Sequence, residues 1–456
     1  MNTFDLAIIG GTVVQSTSRS QVNIGVKDSC IAYVGPESLD ARKTIDAGGL
    51  IVLPGGVDTH VHLMDPSATD REDFPAGTRA AAGAGVTTII EHTHSGPIRS
   101  EQGLLEKVEY LKGRSNVDFG LAAHAWTGES SAVRGLWEAG VAYFKVFTCT
   151  THGVPGHNAG ALLAHLRATS DIGARSLIHC EDESIAGDAQ LSLREAGRLD
   201  GGVLSEWRSR DAEVSAAAVV ALLARRTQAK ATIAHVSHPE VAGYVLRERQ
   251  AGGDLAAECC PQYFVLREDE ALTQGALRKF TPPARARHDS DERDMWRLLR
   301  EGTLTHISSD HAPSTLEQKA AGDIWNSQFG LPGLDTTMPT LADAVFHGHL
   351  AWEDLARVYA EAPARLYGFW GKKGAIRVGF DADFAIFDPS STWTLEDSSI
   401  RSKAGWSPYS GRTMHGKIVH TILRGEAIAE HDRVADERTG EWLPGSGFVE
   451  RSRRNS

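Results

Sequence analysis

Eight short apolar runs punctuate the chain between Leu50 and Ser308, each followed by a stretch of helical character. The runs are Leu50–Leu63, Val86–His92, Asp118–Trp126, Tyr143–Thr148, Ser176–Cys180, Ala231–Val236, Ala256–Phe264 and Leu304–Ser308. Between them lie Ala-rich or amphipathic segments such as Gly77–Gly83, Gly103–Lys112, Ala159–Ala168, Val214–Ala224 and Pro239–Gln250. Near-continuous apolar runs mark parallel strands buried on both faces, and regular alternation with helices matches an α/β fold of the (β/α)8 TIM-barrel type. A doubly wound open sheet would instead need a Gly-rich phosphate turn after its first strand, which Gly10-Gly11 does not make. The connection from Asp182 to Ala212 is longer than its counterparts and is expected to carry an inserted lid or extra helix.

The two ends of the chain read differently. Leu6–Ile9, Thr12–Val14, Val22–Val26 and Ile31–Val34 alternate in short runs with Gly and Asp punctuation, the pattern of small antiparallel strands. That texture returns at Gly374–Val378, Ala385–Phe387 and Ile418–Leu423. The expected organisation is a small β-sandwich built from both ends, 1–52 and 366–430, around a barrel at 53–365, with a tail at 431–456. The Gly440–Phe448 part of that tail is expected either to pack on a neighbouring copy or to stay solvated.

At 456 residues the chain exceeds a single simple core, and its 23% charged content suits a folded globular protein. A net charge of −12, with no basic run beyond Arg451–Arg454, argues against nucleic acid as a partner. No stretch approaches a membrane span, and the start, Met1 to Asp5, lacks the features of a signal peptide. Five cysteines without a CxxC spacing fit reduced thiols, so a cytoplasmic protein is expected.

In a barrel of this kind the working residues lie at the carboxyl ends of the strands. The first run ends in Asp58-Thr-His60-Val-His62, the fourth carries Lys145, the fifth ends in His179, the sixth in His235 and the eighth in Asp310-His311. His-x-His also occurs at His92/His94 and His347/His349, so the spacing alone identifies nothing. Convergence of four imidazoles, a lysine and a carboxylate on one mouth does point to a metal site. A lysine buried in a strand must be neutral or paired. A neutral amine can capture CO2, and the resulting carbamate (N6-carboxylysine) is an anion whose two oxygens can bridge two cations.

These strings, Val52-Leu-Pro-Gly-Gly-Val-Asp-Thr-His-Val-His62, Lys145, His179, Ala234-His-Val-Ser237 and Ser309-Asp-His-Ala-Pro313, resemble the amidohydrolase superfamily. Together with Glu72–Thr78, Lys279–Arg285, Gly330–Leu334 and Gly379–Asp383 they resemble its cyclic amidase branch: hydantoinase, dihydropyrimidinase, allantoinase and dihydroorotase. The resemblance covers nearly the whole chain. It implies that His60, His62, Lys145 and Asp310 hold one divalent ion while Lys145, His179 and His235 hold a second. Zinc is the favoured metal, and the same ligands suit manganese or cobalt. It further implies a bridging hydroxide that opens a cyclic ureide or imide, with Asp310 as general base and then acid, and a homo-oligomer, dimer or tetramer.

The substrate-side positions depart from the relatives. Dihydroorotases resemble His-Val-His-Leu-Arg, with the arginine gripping a carboxylate, and Met64 stands there in this chain. His94 falls where allantoinases and dihydroorotases often carry Asn, and Thr150 where hydantoinases carry Tyr. Thr281 replaces their serine before Pro-Pro, and Phe329 replaces an asparagine before Gly330. His152, His157 and Trp126 are further candidates for the pocket wall, and His311 for orienting Asp310. A neutral ring is therefore expected. The alternatives are a dihydroorotase-like enzyme, an N-acyl amino acid or dipeptide amidohydrolase, and a non-catalytic scaffold relative.

Overall fold

The computed structural model describes residues 3–450, so the Arg451–Arg454 run lies outside the described residues. Each of the eight apolar runs contains parallel strand. Gly56–Val61, Val86–Glu91 and Asp118–Leu121 form one hydrogen-bonded arc. Ala123–His124, Phe144–Phe147, Arg175–His179, Lys230–Ile233, Leu255–Cys259 and His306–Ile307 form the other. Neighbours pair in parallel register, as in Lys145 opposite Leu177 and Glu258 opposite His306. A parallel bridge between Val61 and His311 links the first strand to the segment after the eighth.

Helices follow where the alternation placed them, and polar residues start several of them. Asp73 accepts from Ala76 N ahead of Phe74–Gly83, Ser100 from Gly103 N ahead of Glu101–Leu111, and Asn158 from Ala161 N ahead of Ala159–Ser170. Each cap satisfies a backbone donor that the first helical turn leaves open. The long connection after the fifth strand holds the helices Glu183–Glu195 and Val203–Trp207. Trp207 packs against Trp325 and Phe329, so this insertion braces the loop that precedes Gly330.

The two ends of the chain form two facing sheets. One runs Cys30–Gly35, Asn23–Lys27, Phe4–Ile9, Ala41–Asp46. The other joins Thr12–Gln15, Ser18–Gln21 and Ile51–Pro54 to Phe384–Thr394, Thr413–Leu423, Glu426–Glu430 and Arg433–Val434. Leu6, Ile8, Ile24, Val52, Phe384 and Ile422 fill a core of their own between them. The antiparallel reading of the N-terminal strands needs correction at two pairs. Phe4–Ile9 runs parallel to Ala41–Asp46, and Thr12–Gln15 parallel to Ile51–Pro54. In both cases other strands intervene in sequence, so the chain re-enters from the same end instead of turning back in a hairpin.

The Gly440–Phe448 segment lies against its own chain. Gly440 N donates to Ser115 O, Leu443 N to Phe119 O and Gly445 N to Gly140 O, all at 2.8–2.9 Å. Close by, Lys373 is buried between three carboxylates, Asp118 at 2.6 Å, Asp383 at 2.8 Å and Asp381 at 2.9 Å. Arg424 adds a second cation to Asp118. Asp118 opens the third barrel strand, so this network sits at the amino end of the barrel.

Candidate metal centre

The carboxyl ends of the strands bring His60, His62, Lys145, His179, His235 and Asp310 together in one narrow cleft. All except Asp310 have side chains only a few per cent exposed. Strand alternation aims His60 and His62 to the same side, Lys145 lies within the strand Phe144–Phe147, His179 ends Arg175–His179, and His235 and Asp310 follow just after their strands. His235 (φ 36°) and Asp310 (φ 50°) adopt left-handed backbone, a costly conformation for residues with a Cβ that concentrates at functional sites.

The hydrogen bonds orient the imidazoles. His60 Nδ1 meets Glu258 Oε1 at 2.7 Å, His62 Nδ1 meets the His92 carbonyl at 2.6 Å, and His179 Nε2 meets Glu181 Oε2 at 2.8 Å. A carbonyl or carboxylate can only accept, so each outer nitrogen carries a proton and the inner nitrogen of a neutral ring presents a lone pair. Those inner atoms converge. His60 Nε2 and His62 Nε2 each lie 3.2 Å from Asp310 Oδ1, and His179 Nδ1 lies 2.9 Å from His235 Nε2. His235 Nδ1 is buried without a partner. Outer carboxylates or carbonyls holding inner imidazole lone pairs are the arrangement that tunes a metal-binding histidine. These residues fit a divalent-cation centre.

Charge balance makes the same point. Burial depresses the His62 imidazole to about 4 and drives His235 well below its ordinary value, so both are neutral near pH 7. Burial would raise the Asp310 carboxyl, but His60, His62 and His235 outweigh it and hold the group ionised. Burial lowers the Lys145 ammonium to about 8. Its Nζ lies 3.1 Å from His60 Nε2, and among the described residues no carboxylate pairs with it. Lys145 is therefore an amine poised to lose its proton.

Of the other sequence candidates, His94, Thr281, Phe329 and Gly330 line the cleft. The Thr281 hydroxyl is committed to Glu181 at 2.7 Å. Met64 and Thr150 stand outside the lining: Met64 is buried beside Thr93, and Thr150 N donates to the Glu183 carboxylate. His152 does line the cleft, its ring stacked on His94 at 4.5 Å, whereas Trp126 and His157 border a separate cavity behind the third and fourth strands. His311 is buried, and its Nδ1 accepts from Gly333 N and Leu334 N at 3.0 and 3.2 Å. It braces the bend after Gly330.

Sequence reasoning passed over Glu181 and Glu258. Each is an acidic residue inside or just after an apolar strand run, and that anomaly is the signal that could have found them. Glu181 is held ionised, against its burial, by Arg208, His179 and Arg285, and Glu258 chiefly by His60 and His306.

A family model described as "Amidohydrolase family" matches residues 51–428. The chain is 34% identical over 453 residues to an allantoinase from Rubrobacter xylanophilus, covering 97% of this chain and 98% of that one. It is 33% identical over 434 residues to an allantoinase from Escherichia coli, with 93% and 95% covered. Among solved structures it matches an L-hydantoinase (dihydropyrimidinase) from Arthrobacter aurescens with a TM-score of 0.93 at 30% identity, over 97% of this chain and 100% of that one. A D-hydantoinase matches with a TM-score of 0.91 at 28% identity, over 96% and 98%.

Proposed function

The chain belongs to the amidohydrolase family, and from that footing we propose that this metal-dependent cyclic amide hydrolase opens the ring of allantoin or a close cyclic ureide. The observation that carries the reading is the set of four imidazoles, three of them with outer nitrogens held by acceptors, converging with Lys145 and Asp310 in a cleft. His60, His62, Lys145 and Asp310 would hold one ion, and Lys145, His179 and His235 the other. In the carbamate form, Nζ of Lys145 bonds to the carbon of CO2 and releases its proton to solvent. Four neutral imidazoles and Asp310 alone leave two dications poorly neutralised, and the carbamate supplies the further negative charge. Zinc suits this nitrogen-rich set, as manganese or cobalt would.

Bound there, two divalent ions acidify a water and polarise the scissile carbonyl. Among the residues lining the cleft, Asp310 is the carboxylate. Its Oδ1 takes the proton from the attacking water and delivers it to the ring nitrogen as the C–N bond breaks. Phe147, Phe280 and Phe329 shape an apolar wall. That lining supports a neutral ring over a carboxylated one, because among the described residues no arginine lines the cleft to pair with an anion. The stacked His94 and His152 offer donors and acceptors suited to the polar ureido arm of allantoin. The match to hydantoinase structures favours hydantoin as the second reading.

The same reading divides the chain into a barrel at 53–365 and a sandwich at 1–52 and 366–430. It also takes the exposed Leu191, Leu199, Val219 and Leu222 as part of a surface between copies in a homo-oligomer. Among the described residues no helix is long and apolar enough to cross a membrane. The test is metal analysis together with kcat/KM for allantoin, hydantoin, dihydrouracil, dihydroorotate and an N-acyl amino acid. We expect allantoin to lead, and faster turnover of dihydroorotate or of the N-acyl amino acid would overturn the proposal.

A further inference from the structure

The His347/His349 pair takes no part in the cleft, yet one of its members belongs to a second cluster of metal-ligating atoms. Asp343 lies on the helix Thr337–Phe346, and His347 follows one turn later at the helix end. His415 comes from across the fold, on the strand Thr413–Leu423 of the larger sandwich sheet. The three ligand atoms all lie within 4.8 Å of one another.

Their geometry is close to that of a tetrahedral site. With metal–ligand bonds of about 2.1 Å, neighbouring ligand atoms of a tetrahedral zinc stand roughly 3.4 Å apart. Asp343 Oδ1 is 2.8 Å from His415 Nδ1 and 3.7 Å from His347 Nε2, distances that bracket this value. His415 is held in place from three directions. Its backbone N donates to Asp343 Oδ1 at 3.1 Å, its ring engages the same oxygen, and Phe346 stacks on it at 3.7 Å with 4° between the planes. His347 is half exposed, so an ion can enter from solvent.

We propose that Asp343, His347 and His415 form a third divalent-cation site, independent of the cleft, that latches the helix Thr337–Phe346 to the sandwich. Two imidazoles and one carboxylate favour a borderline transition ion such as zinc, nickel or cobalt over calcium or magnesium, which prefer all-oxygen sets. On binding, the proton of His415 Nδ1 moves to solvent or to Nε2, and water completes the coordination. The latched helix begins just after Gly333 and Leu334, the residues held by His311, so the ion steadies the far end of the element that leaves the cleft.

The test is equilibrium dialysis of chelator-stripped protein against low-micromolar zinc with bicarbonate, counting ions per chain. The expected result is one ion fewer in His347→Ala and in His415→Ala than in the parent, with hydrolysis of the best substrate unchanged. In a Lys145→Ala background, which isolates this site from the cleft, zinc should raise Tm, and the added His347→Ala should abolish the rise. Cobalt loaded into Lys145→Ala should show visible absorption bands that His347→Ala removes. An equal ion count in parent and His347→Ala, or binding that appears only at millimolar zinc, would overturn the proposal. Loss of the cleft ions in Lys145→Ala reports on the proposed function instead, so the two readings fail separately.

Discussion

Two lysines, Lys145 and Lys373, are equally buried at about 1% exposure, and they stand at opposite ends of the barrel. Lys373 sits among Asp118, Asp381 and Asp383, and those carboxylates raise its pKa despite burial. Lys145 faces a histidine and burial pulls its pKa down to about 8. The same side chain is held as a cation at one end and pushed toward the neutral amine at the other. Partners, not burial, separate a residue that stabilises the fold from one available for chemistry.

The largest effect should come from breaking the reactive end. Lys145→Ala is expected to remove the cleft ions and reduce hydrolysis to background while leaving Tm near that of the metal-free parent, because the lost amine had no ionic partner. Metal analysis beside turnover and a thermal melt checks this. Asp310→Asn should lower kcat by about 10²–10⁴-fold, the scale of losing a general acid–base. Lys373→Met tests the other end. It strands buried carboxylates and should destabilise by about 3–5 kcal/mol in urea titration, with kcat/KM per folded molecule preserved. If it silenced the enzyme without destabilising it, the contrast between the two ends would be wrong.

Smaller effects sharpen the comparison. Glu258→Gln and Glu181→Gln keep shape but weaken the acceptors behind His60 and His179, so zinc affinity should drop by about 10–100-fold in competition with a chelator. The mildest test is pH. Only the deprotonated Lys145 attacks CO2, and its deprotonated fraction grows as pH rises toward about 8. Reactivation of stripped enzyme by bicarbonate and zinc, normalised to dissolved CO2, should climb to that pH and level above it. A lysine of ordinary pKa would keep climbing to about 10.4.

The barrel was readable because strand burial on both faces writes an unmistakable run, and the cleft-facing residues because each ends or sits within such a run. What escaped depends on contacts distant in sequence. Glu258 reaches His60 across 198 positions, a pairing that no local pattern encodes. The parallel pairing of Phe4–Ile9 with Ala41–Asp46 was hidden for a similar reason, since strand composition does not state which end the chain enters. Met64 and Thr150 were placed by motif position, yet loop geometry turned one toward Thr93 and tied the other to Glu183. His311 looked like a helper of Asp310, and only the fold revealed that its ring serves Gly333 and Leu334.

The first of the two crossings between sandwich and barrel is a single residue. Ile51–Pro54 belongs to the sandwich sheet and Gly56–Val61 to the barrel, and Gly55 lies between, its N–H on the Asp383 carbonyl and its Cα side closed off by Thr87. So short a coupling transmits torque without slack, and the strand it drives carries His60 and His62. Heating should therefore give one calorimetric peak for both parts of the molecule, and a coloured ion held by those histidines would lose its spectrum as a sheet it never touches comes apart.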